Sequence, residues 1–310
     1  MPKTKTHVGP SRRQYIPAQS AILWRMLAAT LATLALFTFS YIAVWLNALR
    51  TATDRTPSIA SLITGFVTNF FDTLGIGSFA TTTSIFNFTR MVPDQLIPGT
   101  LNAGHTIPTI FQAFIYIAAI EVDPTTLLLM IAGAVFGSWF GAGWVARLPK
   151  HKVQIGVGGA LLFAFLVLLL RQFDLFPAGG DALGLTGAKL VIAVTLNTVF
   201  AAISTLGIGF YAPCMTLVGL LGMNPIAAFP IMMGSSAFLM PVASSRFVIA
   251  RAYSPAVAIG LTLGGLCGVP LAAFVVKSLP LTAARWLVMF VILYAAVRML
   301  QSAYTEKQNS

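Results

Sequence analysis

The sequence predicts an all-α, polytopic membrane protein with about nine transmembrane helices, in which two four-span repeats each begin with a broken helix. Three observations predict this fold class. The 310 residues are 57% hydrophobic and only 9% charged, whereas a soluble domain carries about 25% charged residues. Apolar runs of about 20 residues, the length that spans a bilayer, recur along the chain. The tetrapeptide LGIG interrupts two of the long runs.

The composition argues against several other classes of protein. The apolar runs do not alternate with polar residues, as the strands of a membrane β-barrel would. The net charge of +11 comes from Lys and Arg clustered at span ends, so we expect no nucleic-acid partner. Cys214 and Cys267 lie inside apolar runs and predict buried thiols rather than a disulfide. We expect no cofactor and no metal, and the segment GLTGAK lacks the spacing of a phosphate-binding loop.

The chain begins with a polar tail, residues 1–20, followed by an extra transmembrane helix over residues 21–50. The apolar run is too long for a signal peptide and lacks a clear cleavage site. We therefore expect a protein of the bacterial inner membrane whose N-terminus is cytoplasmic. If every long run crosses once, the basic loop around Arg147 is also cytoplasmic, in line with the positive-inside rule. Arg246 and Arg251 then fall near the outer face, against that rule.

Two tracts of similar layout follow the first helix. They are transmembrane repeat 1 at residues 57–172, a connector at 173–189, transmembrane repeat 2 at 190–302 and a C-terminal tail at 303–310. An offset of 132 residues places residues 74–77 on residues 206–209, and an offset of 131 places Pro124 on Pro255. Such agreement indicates an internal duplication, the usual plan of a secondary transporter.

The broken runs allow two arrangements of the repeats. If each broken run crosses the membrane, each repeat has four crossings and the repeats are parallel. If each broken run turns back midway, each repeat crosses three times and the repeats are inverted. The count of nine helices takes the first arrangement, which the sequence favours modestly.

The third span of each repeat carries glycines four residues apart. These are Gly133, Gly137 and Gly141 in repeat 1, and Gly260, Gly264 and Gly268 in repeat 2. Such a stripe lets two helix backbones approach closely in lipid. We therefore predict helix packing, rather than substrate binding, at these positions.

Breaking a helix inside a membrane is costly, and this sequence predicts two breaks. Each glycine disfavours a helix interior by about 1 kcal/mol relative to alanine, and a backbone group without a partner in hydrocarbon costs several kcal/mol more. A helix that begins after a break presents free N–H groups and the positive end of its dipole. Two such ends can bind a small anion without a buried cation. The alternative is that Gly-x-Gly only permits tight packing.

The candidate site comprises the two breaks and the polar residues near them. The predicted substrate-binding residues are Gly75, Ile76, Gly77, Ser78, Thr81, Thr82, Asn102, His105, Thr205, Gly207, Ile208, Gly209, Ser235, Ser236 and Arg246. Asp72 and His105 are predicted to carry a proton, because ionisable groups are costly inside a span. The alternative for Asp72 is a helix-end residue held by neighbouring backbone N–H groups.

A family resemblance adds to this interpretation. The motifs TLGIG in both copies, PGT at residues 98–100 and GSS at residues 234–236 resemble the TauE/SafE family of sulfite and sulfonate exporters. The resemblance covers residues 57–302 and leaves the first helix outside. It implies a transporter whose substrate is a small sulfur-containing or organic anion. The family's glycine run is usually longer, whereas Ser78 and Phe210 follow the second glycine here.

These features predict a secondary transporter, not an enzyme, that exports sulfite, sulfoacetate or a related sulfonate across a lipid bilayer. With the cell interior negative, a monoanion leaves downhill by about 2.3 kcal/mol for each 100 mV. Proton linkage and proton-coupled import are open alternatives, as is an intramembrane enzyme with Ser78 as nucleophile and His105 as base. The duplication argues against the enzyme, because catalysis needs one site. The oligomeric state is open, with a homodimer as one option.

Overall fold

The structure is a computed structural model that describes residues 15–145, 150–173, 180–204, 210–278 and 280–308. In these residues the chain folds into eleven α-helices, and an isolated bridge joins Ala182 to Met223. The helices are α1 (Tyr15–Arg50), α2 (Ile59–Thr73), α3 (Ser78–Thr89), α4 (Ile97–Ala119), α5 (Pro124–Val145), α6 (Lys150–Gln172), α7 (Gly187–Ser204), α8 (Tyr211–Leu220), α9 (Ala228–Ile249), α10 (Pro255–Ser278) and α11 (Leu281–Gln308). The predicted all-α fold class is confirmed for the described residues.

Several of these helices are long and apolar enough to cross a membrane. The described segments that qualify by length and composition are Ala28–Arg50, Gly187–Ser204, Pro225–Ile249 and Pro255–Val276. Shorter apolar helices include Tyr211–Leu220. Large apolar side chains such as Phe88 and Phe274 are exposed, as expected for a surface that faces lipid. The protein is therefore a multi-pass membrane protein.

The helix ends differ somewhat from the predicted segments. Helix α1 begins at Tyr15, inside the predicted polar tail, and α11 continues to Gln308, through most of the predicted C-terminal tail. Between the two halves, α6 ends at Gln172 and α7 begins at Gly187, close to the bounds predicted for the connector.

The chain leaves the helical conformation at the first LGIG tetrapeptide. Helix α2 begins after Ser58, whose side chain caps it, and ends at Thr73. Helix α3 begins at Ser78, after Gly75 and Gly77 have adopted φ angles of 94° and 89°. These values lie in the left-handed region that favours glycine. The second tetrapeptide falls in residues 205–209, outside the described residues, between the end of α7 and the start of α8.

Helix α3 runs back along α2, so the two helices form a hairpin. The amide of Ser78, at the start of α3, bonds to Asp72, at the end of α2. One turn further along α3, Thr82 bonds to His105, whose other ring nitrogen bonds to Asn69, earlier in α2. The 15 residues of α2 span about 22 Å, less than the hydrocarbon core of about 30 Å.

Helices α7 and α8 form a second hairpin. The Nζ of Lys189, in the first turn of α7, donates to the carbonyl of Leu221 just beyond α8 at 3.1 Å. The N–H of Asn224 donates to the carbonyl of Ala182, which precedes α7, at 2.8 Å. Helix α8 therefore returns to the side of the bundle on which α7 begins.

Each hairpin packs against a helix of the other half of the chain. Helix α2 packs on α10 and α7 packs on α5. A Cβ atom added at Gly264 of α10 would lie 2.0 Å from the carbonyl oxygen of Leu62. A Cβ atom added at Gly137 of α5 would lie 2.0 Å from the carbonyl oxygen of Thr198. The predicted role of these glycines in close helix packing is confirmed.

These two helix pairs are parallel. In α10, Gly260 lies against Ser61 and Gly268 lies against Phe66, so the contacts advance in the same direction along both helices. In the pair α5 and α7, Asn197 of α7 bonds to Met130 of α5. Further along both helices, Ser138 of α5 bonds to Ala201 of α7, so these contacts advance in the same direction too.

Helices α4 and α9 cross in opposite directions at the centre of the bundle. Thr106 of α4 bonds to Ser244 of α9 at 2.5 Å. Further along α4, the ring of Tyr116 lies 5.2 Å from that of Phe229, which is earlier in α9. Each helix has a proline in its interior, Pro108 in α4 and Pro241 in α9.

Helices α6 and α11 are antiparallel too. The amide of Gln154, near the start of α6, bonds to Ser302, near the end of α11, at 3.1 Å. At the other end, the ring of Phe173 lies 6.4 Å from that of Trp286. Helix α4 is thus antiparallel to α9, and α6 is antiparallel to α11.

Candidate functional site

Asp72 lies at the tip of the first hairpin and is only 2% exposed. Its Oδ1 accepts the backbone N–H of Ser78 at 2.6 Å, and its Oδ2 accepts the side-chain amide of Gln112 at 2.9 Å. The first bond caps α3, because the N–H groups of a first helical turn have no partner within the helix. The structure therefore has the alternative arrangement for Asp72, a helix-end residue held by backbone. The Ser78 N–H expected to bind an anion already holds this carboxylate.

The second half of the chain contributes Tyr211, the first residue of α8. Its hydroxyl lies within hydrogen-bonding reach of Asp72, Thr109 and Ser236. Tyr211 therefore links the tip of the first hairpin to α4 and α9. The groups that interact with the Asp72 side chain in the described part of the chain, Ser78, Gln112 and Tyr211, are all neutral.

The backbone of the first break is fixed from both halves of the chain. The hydroxyl of Tyr116 donates to the carbonyl of Thr73 at 2.9 Å. A Cβ atom added at Gly75 would lie 3.1 Å from the sulfur of Met215 in α8, whereas one added at Gly77 would meet no atom of the described residues within 4 Å. Among these residues, the tip thus packs on the second hairpin at Gly75 and has no neighbour at the Cβ position of Gly77.

His105 ties α2, α3 and α4 together. Asn69 donates through its side-chain nitrogen to the carbonyls of Gly65 at 2.7 Å and Leu261 at 3.4 Å. Its oxygen is therefore the atom that contacts Nδ1 of His105 at 3.0 Å, and it must accept a proton from that nitrogen. Nε2 is then an acceptor, and the hydroxyl of Thr82 donates to it at 3.0 Å. Both ring nitrogens are satisfied by neutral groups.

This arrangement disfavours the enzyme alternative. A nucleophile requires a base within hydrogen-bonding distance. The ring nitrogens of His105 contact Asn69 and Thr82, and the serine that the alternative needs, Ser78, instead lies beside Asp72.

The remaining predicted residues are distributed around the cluster. Ser236 joins it through Tyr211. The side chains of Thr81, Asn102 and Ser235 donate to backbone carbonyls of their own helices, and Ile76 packs half-buried against the core. Arg246 is exposed in the last turn of α9. Thr205, Gly207, Ile208 and Gly209 lie outside the described residues.

Sequence reasoning missed three residues of the cluster. Gln112 is a fully buried amide in the apolar run of α4, and that contrast was a usable signal. Tyr211 occupies the position of Phe79 under the offset of 132, so the second copy carries a hydroxyl that the first lacks. Asn69 gave a weaker signal, because a single amide in a helix often bonds to its own backbone.

An apolar groove of about 660 Å³ lies elsewhere, between α1 and α5. Its lining includes Thr33, Leu128, Val135, Trp139 and Phe140, and it contains none of the predicted site residues. A groove of this character at the lipid-facing surface suits acyl chains rather than a hydrated anion. The polar cluster at the hairpin tip is therefore the better candidate for the site.

A comparison with protein families agrees with the resemblance in the motifs. The family described as sulfite exporter TauE/SafE matches residues 14–168 and, in a second alignment, residues 58–299. The second alignment nearly coincides with the expected range of 57–302, and the first also includes α1, which was expected to lie outside. No curated protein and no solved structure matches the chain. Because the second alignment covers well over half of the sequence, the chain belongs to the TauE/SafE sulfite exporter family.

Proposed function

We propose that this protein exports a small sulfur-containing or organic anion, such as sulfite or sulfoacetate, across the bacterial inner membrane. Membership of an exporter family supports the class of function. The observation that carries the proposal is the set of buried donors at the hairpin tip. The amide of Ser78, the side chain of Gln112 and the hydroxyl of Tyr211 surround a carboxylate. Donors that suit a carboxylate oxygen also suit the oxygen of a sulfite or sulfonate group.

The proposed architecture is an internal duplication, and matched packing contacts support it. Gly264 lies against Leu62, and Gly133, its counterpart at an offset of 131, lies against Val194. Val194 is in turn the counterpart of Leu62 at an offset of 132. The same contact thus occurs twice, each time between one repeat and the other.

A pair of hydrogen bonds repeats in the same way. Asn69 of α2 donates to the carbonyl of Leu261 in α10, and Asn197 of α7 donates to the carbonyl of Met130 in α5. The two accepting residues are counterparts at an offset of 131. The two asparagines lie one helical turn apart in the alignment of the repeats. Each bond therefore joins the equivalent pair of helices, although the donor occupies a different position in each repeat.

The directions of the helices favour inverted repeats over the parallel repeats expected first. Helices α4 and α9 correspond under the duplication and are antiparallel, as are α6 and α11. Each hairpin returns to the side from which it enters. The proposed topology therefore has seven crossings, by α1, α4, α5, α6, α9, α10 and α11, together with two re-entrant hairpins, in place of nine crossings.

This topology assigns a face to the charged residues at the helix ends, and both faces carry both signs, with Asp54 where α1 ends and Lys189 on the opposite face. The residues at the face where α1 ends include Arg50, Arg55, Arg90, Arg246 and Arg251, and those at the opposite face include Glu121, Asp123 and Asp181. We place the basic tail, residues 1–20, in the cytoplasm, so the face where α1 ends is external, and the arginines on it depart from the positive-inside rule. The loop around Arg147 lies outside the described residues. The end of α5 and the start of α6, which flank it, fall on the external face in this topology, as do Arg246 and Arg251.

The membrane potential supplies a driving force for export. An elementary charge crossing 100 mV gains about 2.3 kcal/mol, which corresponds to roughly a fiftyfold concentration ratio. An anion inside a negative cell therefore leaves without ATP. The alternative is import of the anion together with protons. It would use the same site, and the direction of transport would depend on the gradients of the anion and of protons across the membrane.

The proposal is tested by efflux of sulfite, sulfoacetate and taurine from proteoliposomes at an imposed potential. We expect an inside-negative potential to accelerate efflux of at least one of the two anions, sulfite or sulfoacetate. Absence of voltage-dependent flux for both would remove the export function.

Tyr211→Phe tests the site itself. Loss of one hydrogen bond to a charged group costs about 1.5–3 kcal/mol, so we expect KM for the anion to rise at least tenfold. Tyr253→Phe is the matched control, because Tyr253 lies in the loop before α10, and its KM should equal that of the unaltered protein. Equal KM values for both variants would exclude Tyr211 from the site.

A further inference from the structure

Gln112 has an oxygen that the structure leaves unpaired. The residue is fully buried in α4, and its side-chain nitrogen donates to Oδ2 of Asp72 at 2.9 Å. Its Oε1 has no hydrogen-bond partner among the described residues. A buried acceptor without a partner costs about 1–3 kcal/mol, and native structures keep few of them. Four other buried side-chain atoms of the described residues are also unpaired, but Gln112 is the one of these residues whose side chain bonds to a buried carboxylate, so its free oxygen indicates a second state of the site.

The surroundings of Asp72 make it compete with an incoming anion. In the described part of the chain, the groups that face it are Ser78 of α3, Gln112 and Tyr116 of α4 and Tyr211 of α8. These groups are neutral, and the ones that bond to the carboxylate do so as donors. The same donors would bind a substrate oxygen, and two adjacent anions without a cation repel each other. The carboxylate must lose its charge before the anion enters.

We propose that Gln112 couples protonation of Asp72 to anion binding, so that one proton enters the site with each anion. This inference rests on the proposed anion-transport function. While Asp72 is ionised, Gln112 directs its NH₂ group to the carboxylate, and its bare oxygen repels an anion on the other side. When Asp72 takes up a proton, its new O–H donates to the Gln112 oxygen after a half-turn of the amide. The NH₂ group then occupies the position that the oxygen held and donates to the anion.

The two states have the same shape and the same charge. The oxygen and nitrogen of an amide are close in size, so the half-turn needs no repacking. A proton on Asp72 and a monoanion beside it restore the net charge of the ionised, empty site. Carriage of a monoanion is therefore electroneutral, whereas a dianion such as sulfoacetate moves one negative charge and still responds to the membrane potential.

The first measurement uses the unaltered protein in proteoliposomes loaded with sulfoacetate and a fluorescent pH indicator. Sulfoacetate stays fully ionised between pH 6 and pH 8, so a pH change reports carried protons rather than titration of the substrate. We expect the interior to become more alkaline as sulfoacetate leaves, with about one proton for each anion. Efflux of sulfoacetate without proton movement would overturn the coupling and leave the transport function standing.

The second measurement compares variants. In Asp72→Asn the amide stands in for the protonated acid, so sulfoacetate efflux should persist, carry no proton and lose its dependence on pH. Gln112→Met keeps the size of the side chain and removes its donor, so the KM for sulfoacetate should rise at least tenfold. Gln154→Met is the matched control, since Gln154 is also buried with an unpaired oxygen but bonds to Ser302 between α6 and α11. Its efflux and proton ratio should be unchanged.

The outcomes separate the two proposals. Retained proton coupling in Asp72→Asn would overturn the inference, and so would an unchanged KM in Gln112→Met. If either variant fails to fold, the proton-to-anion ratio of the unaltered protein decides alone. If the unaltered protein carries neither sulfite nor sulfoacetate, the proposed function fails, and the inference fails with it.

Discussion

At the scale of single residues, the buried polar groups form two sets. One set holds the first hairpin in place, and the other lies where we propose that the anion binds. His105 belongs to the first set. Its ring is enclosed by Asn69 and Thr82, which use both of its nitrogens. Asp72 and Gln112 belong to the second set. Asp72 is a buried carboxyl group that accepts a hydrogen bond from Gln112, and the side-chain oxygen of Gln112 has no hydrogen-bond partner among the described residues. We therefore propose that Asp72 carries the proton and that His105 has a structural role.

Thr82→Val tests the structural role of His105. The change removes the donor to a buried ring nitrogen and leaves that nitrogen unpaired, so we expect a loss of about 1–3 kcal/mol in stability. Thr83→Val is the matched control, because Thr83 bonds to the carbonyl of Phe79 in its own helix. Thermal unfolding in detergent should show a lower midpoint for the first variant than for the second. Equal midpoints would contradict the role assigned to His105.

The sequence could identify part of the site at this scale. Asp72 was recognisable as an acid inside an apolar run, and Gly75 as a residue that loosens the backbone. The partners Gln112 and Tyr211 were not, because they lie 40 and 139 residues from Asp72 and only the fold brings them together. The sequence also allowed Asp72 as a helix-end residue held by backbone N–H groups, and the structure has this arrangement, with the N–H of Ser78 as the donor.

At the scale of helices, glycine decides how closely the two halves of the chain approach. Helices α5 and α10 each meet the hairpin of the other half through small residues. In lipid, such contact relies on van der Waals packing and hydrogen bonds rather than on exclusion of water. The cost of an added methyl group therefore depends on what lies beside each glycine.

Gly137→Ala tests this packing. The added Cβ would lie 2.0 Å from the carbonyl oxygen of Thr198, so α5 and α7 must separate and the midpoint of thermal unfolding should fall. Gly156→Ala is the control, because no atom of the described part of the chain lies within 4 Å of its added Cβ and alanine favours a helix by about 1 kcal/mol. Its midpoint should stay the same or rise. A fall of equal size in both variants would contradict the packing assignment.

The sequence predicted the break between α2 and α3 and modestly favoured a run that crosses the membrane, whereas the proposed topology has a run that turns back. A 33-residue apolar run reads the same whether it crosses the membrane or turns back. The difference lies in side-chain contacts, since Thr82 and Asn69 meet across the ring of His105. Hydropathy reports the length of an apolar run and carries no information on its direction.

At the scale of the whole molecule, two inverted repeats would bring the tips of two hairpins together from opposite faces of the membrane. Gly75 of the first hairpin lies against Met215 of the second, and Tyr211 of the second reaches Asp72 of the first. A site shared by two such halves is exposed to one face or the other when the halves rock against each other. The matched offsets predict the duplication, and the proposed inversion rests on the antiparallel contacts of α4 with α9, which the sequence does not report.

The sidedness of Arg55 and Arg90 tests the re-entrant hairpins most directly. These exposed residues flank α2 and α3, and each would be replaced by cysteine after Cys214 and Cys267 have been changed to alanine. A membrane-impermeant maleimide should label both positions from the same face, and Lys189→Cys from the opposite face. Labelling of Arg55→Cys and Arg90→Cys from opposite faces would mean that α2 and α3 cross the membrane, and it would contradict the shared site at the hairpin tips.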